Sequence, residues 1–226
     1  SISFTPRRSA VQSRHHPYET IMMKAIHPPN LGWVQQKLKP DVLKFLWNAI
    51  ETEGESMRSK LAGNIHHSYR LSDKDDWFFK NVLINTTEFY VEEFEDPLHN
   101  FPSKKKVKYV LEDLWVNFQK QTEFNPIHTH TGVFSFVIWM KIPTRFEEQK
   151  KLHIASGVNS NSISNFEIVY SDILGKQVSH VYKMKPEVEG TMLFFPSKLG
   201  HTVYPFYNCD EDRVSISGNL MVELDG

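Results

Sequence analysis

The sequence predicts an α+β protein in which N-terminal helices pack on one sheet of a double-sheet jelly roll or barrel. Apolar residues recur at helical spacing in the first half of the 226 residues. The second half consists of short β-branched and aromatic segments separated by turn residues. Evenly spaced short strands with turn signals between them are typical of jelly rolls and barrels.

Two segments of the first half have the apolar spacing of amphipathic helices. The first spans residues 40–53 and has a proline near its start, where the missing backbone N–H costs nothing. The second follows Ser72, a residue type that favours helix N-caps, and continues to about residue 93. These helices are expected to cover the apolar side of the sheet.

Eight segments of the second half are rich enough in β-branched and aromatic residues to be strands. They are residues 110–119, 133–142, 151–156, 166–170, 177–182, 191–195, 202–206 and 213–223. In the last segment the side chains of Arg213, Ser215, Ser217 and Asn219 alternate with apolar residues. We therefore expect its apolar face to meet the helices and its polar face to line a ligand cavity.

The expected domain organisation is simple. Residues 1–17 are polar and are expected to form an N-terminal arm, followed by a single domain over residues 18–226. Within that domain, residues 18–108 are the helical part and residues 109–224 the jelly-roll core.

Composition limits the possible functions. Hydrophobic residues make up 40% of the chain and the net charge is −1, which permits a packed core and argues against a nucleic-acid surface. The single cysteine, Cys209, cannot form an internal disulfide, and no apolar run is long enough for a membrane span. We therefore expect a cytoplasmic protein with no membrane partner.

Three histidines have the spacing of a metal site. His128 and His130 are two positions apart, so they share one face if this stretch is a strand. His201 opens a later strand, which can lie beside the first pair in an antiparallel roll. Neutral imidazoles suit iron, copper, zinc or nickel, and three of them leave positions open for other ligands. The alternative is that one or more of these histidines is a surface or hydrogen-bonded core residue.

Arg213 and Ser215 offer a guanidinium and a hydroxyl to a single carboxylate. If the last two strands pair directly, the arginine lies on the order of 16 Å from the level of His201. A metal bond, a five-carbon diacid and an extended arginine side chain can fill that gap. The alternative is a surface ion pair between Arg213 and Glu211 or Asp212, which would contribute little to stability.

Further polar residues are candidates for the same cavity. Asn117 and Gln119 share a face of the first strand of the roll with Trp115 and are expected to contact a bound ligand. Glu123 is an acid close to the histidine pair, and whether it reaches the metal is left open.

Together these residues resemble the iron(II)- and 2-oxoglutarate-dependent dioxygenases. The similarity lies in the order His-x-(acid), a distant histidine and Arg-x-Ser on the final strand, with His130 at the position of the acid. The stretches 125–132, 134–143, 190–206 and 213–219 are similar to a branch of that superfamily found in bacteriophages of marine cyanobacteria and in related bacterial proteins. The resemblance implies a double-stranded β-helix and, for a phage protein, a location in the host cytoplasm.

The resemblance also implies an activity. Fe(II) would be held by His128, His130 and His201, and the far carboxylate of 2-oxoglutarate by Arg213 and Ser215. Asn117 and Gln119 would be further contacts of the co-substrate. With O2, the co-substrate would be converted to succinate and CO2 while a C–H bond of a second substrate is hydroxylated. A peptidyl residue or a small molecule would fit as the prime substrate.

The sequence departs from the family pattern at one ligand. Most of the superfamily has Asp or Glu where this chain has His130, which leaves the metal site one charge more positive. A second alignment takes His130-Thr131-Gly132 as the His-x-Gly of halogenating relatives, in which chloride replaces the carboxylate.

Two other function classes fit the same residues. One is a non-catalytic jelly-roll binding module with coincidental histidines. The other is a three-histidine, cupin-like dioxygenase that does not use 2-oxoglutarate. The pair Arg213 and Ser215 favours the 2-oxoglutarate enzyme over both.

Overall fold

The computed structural model describes residues 32–52, 54–98 and 107–224, so the predicted arm 1–17 lies outside the described residues. Within these ranges ten strands form two antiparallel sheets. The larger sheet has the order β1-β8-β5-β10-β3-β2 and the smaller has the order β4-β9-β6-β7. The strands are β1 Val34–Lys37, β2 His67–Arg70, β3 Val107–Gln119, β4 Asn125–His128, β5 Phe134–Lys141, β6 Phe166–Ser171, β7 Gln177–Tyr182, β8 Thr191–Pro196, β9 Gly200–Val203 and β10 Arg213–Leu224.

Most of the strands predicted in the second half are present, but the segment 151–156 is not one of them. Residues His153–Ala155 form a 3-10 turn instead. The amide of Ala155 donates to the carbonyl of Leu152 at 2.9 Å, and the amide of Ser156 to that of His153 at 3.0 Å. These local hydrogen bonds occupy the backbone groups that a strand would need for pairing.

The segment predicted to be helical also contributes strands. β1 pairs with β8 and β2 pairs with β3, so both lie at the edges of the larger sheet. Their sequences, VQQK and HSYR, are four residues long and mostly polar. Edge strands are often short and polar, which leaves little periodic signal.

Two of the helices cover one face of the larger sheet. α1 spans Pro40–Ile50, with proline in its first turn and Val42, Leu46 and Ile50 buried at four-residue spacing. α2 spans Ile84–Phe94 and follows a π-helical turn, Phe79–Leu83. α3 is a single turn, Phe146–Gln149. No helix among the described residues is long and apolar enough to cross a membrane.

The start of the second helical region is capped by Asp73 rather than by the predicted Ser72. The two carboxylate oxygens of Asp73 accept hydrogen bonds from the backbone amides of Phe78 and Phe79, at 2.8 and 2.9 Å. A carboxylate satisfies two free amides of a helix start at once and also favours the positive end of the helix dipole.

The helices and the two sheets form three layers, with an apolar cluster between each pair of neighbouring layers. The first lies between the helices and the larger sheet, and includes Leu46, Tyr90 and Ile216. The second lies between the sheets, where Trp139 packs with Phe166. The two sheets therefore face each other, and polar residues of their inner faces surround a cavity.

β10 carries both faces that the sequence predicts. Val214, Ile216 and Leu220 are buried in the cluster beneath the helices. The residues with the opposite orientation line the cavity between the sheets, and they are Arg213, Ser215, Ser217 and Asn219. The prediction of a polar, cavity-lining face is confirmed.

Candidate active site

Three histidine side chains converge on one point at the cavity. His128 is the last residue of β4 and lies opposite His201 of β9 in the antiparallel register. His130 follows two residues later. One potential ligand atom from each of the three lies within 4.8 Å of the others, and the Nε2 atoms of His130 and His201 are 3.1 Å apart.

The route by which His130 reaches this point differs from the expectation of a shared strand face. β4 ends at His128, so His130 lies in the loop that leads to β5. Its backbone amide donates to the carbonyl of Ser197 at 2.8 Å, which ties the loop to the end of β8. In the same loop Gly132 has a φ of 97°, and a Cβ there would lie 2.7 Å from the carbonyl oxygen of Leu220.

Hydrogen bonds fix the direction in which two of the rings point. Nδ1 of His128 donates to the carbonyl of Pro126 at 2.7 Å, and Nδ1 of His201 donates to that of Leu199 at 3.0 Å. With Nδ1 protonated, the Nε2 lone pair of each neutral ring is free for a metal. Such outer hydrogen bonds are the usual way in which a protein sets the tautomer of a ligating histidine.

All three imidazoles are held in the neutral form by their surroundings. Burial lowers the pKa of His201 to about 3 and that of His130 to about 4, and proximity to His128 adds to both effects. Burial also lowers the pKa of His128. A histidine must be neutral at one nitrogen to bind a metal, so protons do not compete for this site near neutral pH.

The donor set fits a first-row transition metal. Two imidazole nitrogens bound at right angles to one ion, with bonds of roughly 2.1 Å, lie about 3 Å apart, close to the distance between His130 and His201. Glu123 is not a fourth member. Its carboxylate accepts Nδ1 of His66 at 2.5 Å and the backbone amide of Lys120 at 2.9 Å, and it lies outside the histidine cluster.

Arg213 lies in the same cavity and is 3% exposed. It is not paired with Glu211 or Asp212. Glu211 pairs with Lys141 at 2.8 Å, and Asp212 lies 3.4 Å from Lys120. The alternative of a surface ion pair is therefore wrong, and among the described residues no carboxylate forms a salt bridge with Arg213.

Within the part of the chain that the structure describes, the hydrogen-bond partners of the Arg213 guanidinium are all neutral. One terminal nitrogen donates to the carbonyl and the hydroxyl of Ser164 at 2.7 and 3.0 Å, and the other donates to the side-chain oxygen of Gln119 at 3.4 Å. The Phe206 ring lies 4.9 Å away. Burial lowers the pKa of Arg213 to about 9. An enclosed cation without an acid is costly unless an anion joins it.

The position of Arg213 in the sheet also differs from expectation. β9, which carries His201, belongs to the smaller sheet, whereas β10 pairs with β3 and β5 of the larger one. The two strands therefore do not pair directly, because the chain crosses from one sheet to the other between them. His201 and Arg213 approach the cavity from opposite sheets.

The cavity holds unused hydrogen-bonding groups. Its volume is about 290 Å³. Four buried polar atoms on its lining residues have no partner among the described residues: Nε of Arg213, Nε1 of Trp115 and Oδ1 of Asn117 and of Asn125. Buried polar groups are nearly always satisfied in folded proteins, so this concentration indicates a polar ligand.

The other two residues predicted for the ligand also line the cavity. Ser215 lies opposite Asn117 in the register of β10 and β3, one step from the pair formed by Arg213 and Gln119. Gln119 is bonded at both ends, because its amide nitrogen also donates to the carbonyl of Glu123 at 2.6 Å. The side chain of Gln119 therefore holds Arg213 in place and has little hydrogen-bonding capacity left for a ligand in the cavity.

Residues 113–219 match the model of a protein family described as putative 2OG-Fe(II) oxygenase. The segment 113–219 is thus similar to the 2OG-Fe(II) oxygenases. The match contains the three histidines, Arg213 and Ser215. The resemblance predicted from the sequence is confirmed. No curated protein sequence matches the chain.

Three solved structures have a similar backbone. A prolyl-4-hydroxylase from Pseudomonas putida is 12% identical, with a TM-score of 0.47 over 87% of this chain and 94% of its own. A 2OG-Fe(II) oxygenase family oxidoreductase from Burkholderia pseudomallei is 13% identical, with a TM-score of 0.48 over 84% of both chains. A viral collagen prolyl hydroxylase from Paramecium bursaria Chlorella virus-1 is 14% identical, with a TM-score of 0.46 over 83% of this chain and 94% of its own. These similarities are too distant to assign an activity.

Nothing in the sequence pattern indicated Ser164, although it contacts Arg213 directly. Ser164 lies 49 positions from Arg213 in a loop without periodicity. Only the packing of the two sheets brings that loop to the end of the cavity.

Proposed function

We propose that this protein is an Fe(II)- and 2-oxoglutarate-dependent oxygenase that hydroxylates a C–H bond of a second substrate and releases succinate and CO2. One observation carries the proposal. A buried guanidinium that has no acidic partner among the described residues lines the same cavity as three converging imidazoles. The guanidinium requires an anion, and the imidazoles suit a metal. A 2-oxo diacid can bind that metal with its keto-acid end and the guanidinium with its other carboxylate.

Fe(II) would be held by His128, His130 and His201 through ring nitrogens. When bound, the metal supplies the activation of O2 and the oxidising power for the C–H bond. Because all three ligands are neutral, none of the ion's double positive charge is cancelled by the protein. This favours a dianionic co-substrate more strongly than a site with an acidic ligand would.

Arg213 would bind the distal carboxylate of 2-oxoglutarate. Its Nε is buried and free to donate, and the hydroxyl of Ser215 lies on the same face of β10. The register gives the distance that the co-substrate must span. Trp115, whose ring lies 5.9 Å from that of His130, is four residues along β3 from Gln119, the partner of Arg213. Four residues of strand span about 13 Å, enough for the arginine side chain and a five-carbon diacid.

The cavity limits what else can enter. A volume of about 290 Å³ is at the lower end of the range for small-molecule sites. With the co-substrate in the end near Arg213, only a small group of the prime substrate reaches the metal. A side chain of a peptide or one end of a small molecule fits this space.

The two facing sheets support a double-stranded β-helix within the single domain 18–226.

The histidine cluster also bears on the halogenating alternative. His128 lies in the histidine cluster, whereas the halogenating alignment assigns His130 as the first ligand and leaves His128 unused. The three-histidine site is therefore favoured.

Calorimetric titration with 2-oxoglutarate under anaerobic conditions tests the proposal. Heat is expected with Fe(II) present and is expected to be much weaker without it. Arg213→Ala is expected to bind metal but not 2-oxoglutarate, and His201→Ala to lose metal. A binding module would give no heat with either ligand, and a three-histidine dioxygenase of the cupin type would bind metal alone. Succinate release against pools of peptides and small molecules then identifies the prime substrate.

A further inference from the structure

Ser164 has a backbone conformation that its residue type rarely adopts. It is fully buried, and its φ is +63°. For residues other than glycine this left-handed region is unfavourable, and it persists where surrounding contacts impose it. Its amide donates to the carbonyl of Pro205 at 2.9 Å, which is one such contact.

The imposed conformation directs two oxygens of one residue at a single nitrogen. The carbonyl and the hydroxyl of Ser164 both accept from the same terminal nitrogen of Arg213, at 2.7 and 3.0 Å. The hydroxyl also lies 3.3 Å from that of Thr144. Ser164 thus holds the guanidinium at this terminal nitrogen, and Nε has no hydrogen-bond partner among the described residues.

We propose that Ser164 is a positioning residue that fixes the reach of the Arg213 clamp and thereby selects the length of the 2-oxo dicarboxylate. The inference rests on the proposed function. A metal centre and an anchored guanidinium are two fixed points, and the diacid must match the distance between them. Without the contacts to Ser164, Gln119 alone would hold the guanidinium, at 3.4 Å. The guanidinium could then shift to meet a longer or shorter diacid.

A purely structural role would favour a different residue at position 164. Glycine occupies the left-handed region without steric cost, and it would keep the carbonyl that accepts from Arg213. A serine there adds only the hydroxyl, which bonds the guanidinium. Ser164→Gly therefore separates backbone strain from positioning of the clamp.

The test measures binding of 2-oxoglutarate and of 2-oxoadipate, which is one methylene longer, to the Mn(II)-loaded protein by calorimetry. For Ser164→Gly we expect an unchanged or higher Tm, and binding of 2-oxoglutarate roughly tenfold weaker because a hydrogen bond to a charged group is lost. The preference for 2-oxoglutarate over 2-oxoadipate is expected to fall by a similar factor. Ser164→Ala, which keeps the Cβ, should also weaken binding of 2-oxoglutarate and lower the preference for it over 2-oxoadipate.

Asp75→Gly is the matched control, because Asp75 also has a positive φ, of 60°, but is exposed and remote from the cavity. It is expected to leave both binding constants unchanged. If either folded variant at position 164 binds both acids as the parent protein does, Ser164 does not position the clamp. If the parent protein itself fails to bind 2-oxoglutarate, the proposed function is wrong instead.

Discussion

Removing the buried charge of Arg213 should stabilise the ligand-free protein while it abolishes co-substrate binding. Burial lowers the pKa of Arg213 from 12.5 to about 9. At about 1.4 kcal/mol per pKa unit, keeping the charge inside costs about 5 kcal/mol. Arg213→Met removes this cost with an unbranched side chain, but it leaves the carbonyl of Ser164 without a donor, at about 1–3 kcal/mol. The other two acceptors lose little, because the Ser164 hydroxyl still meets Thr144 and the bond to Gln119 is long, at 3.4 Å. The net gain is on the order of 2 kcal/mol.

Urea unfolding with and without ligand measures both effects. Without ligand the variant should unfold at higher urea than the parent protein. With Mn(II) and 2-oxoglutarate at about 100 times its Kd, the parent protein should gain about 2.7 kcal/mol and the variant nothing from the co-substrate. Lys120→Met, at an exposed lysine, is the control and should change stability by less than about 0.5 kcal/mol. A ligand-free Arg213→Met that is less stable than the parent protein would show that the guanidinium is already well compensated, which refutes the reasoning.

Three further predictions concern the histidine site. In the metal-free protein, His201 of the unfolded chain binds a proton below pH 6.5, whereas folded His201, with a pKa of about 3, does not. The free energy of unfolding should therefore fall between pH 7 and pH 5, by about 2 kcal/mol for this residue. Urea unfolding of His201→Gln should lack that part of the pH dependence. His130→Asp should bind Mn(II) more tightly and 2-oxoglutarate more weakly, because the site loses one positive charge; calorimetry showing the reverse order would contradict this. Gly132→Ala should lower both Tm and metal affinity, since φ is 97° and the added Cβ would meet the carbonyl of Leu220; unchanged metal affinity would mean that the loop does not position His130.

The faces of the strands and the chemistry of the site could be predicted from the order of the residues. On β10 the alternation of Arg213 and Ser215 with Val214 and Ile216 predicts which side chains enter the cavity, because the period of a strand is two wherever it lies. The same holds for α1, where four-residue spacing identifies the buried face. The chemistry of the site could be predicted for the same reason. The functional groups of the histidines, Arg213 and Asn117 are local properties of the chain.

How these residues meet depends on the packing of the whole chain and could not be predicted from local patterns. His130 reaches His201 through a loop held by Ser197, β1 and β2 become strands only by pairing with longer partners, and Ser164 meets Arg213 across 49 positions. Periodicity reports the local environment of each segment and carries no information about which segments become neighbours. That choice depends on burying both apolar clusters and on satisfying backbone hydrogen bonds across two sheets at once, and these are properties of the whole assembled chain.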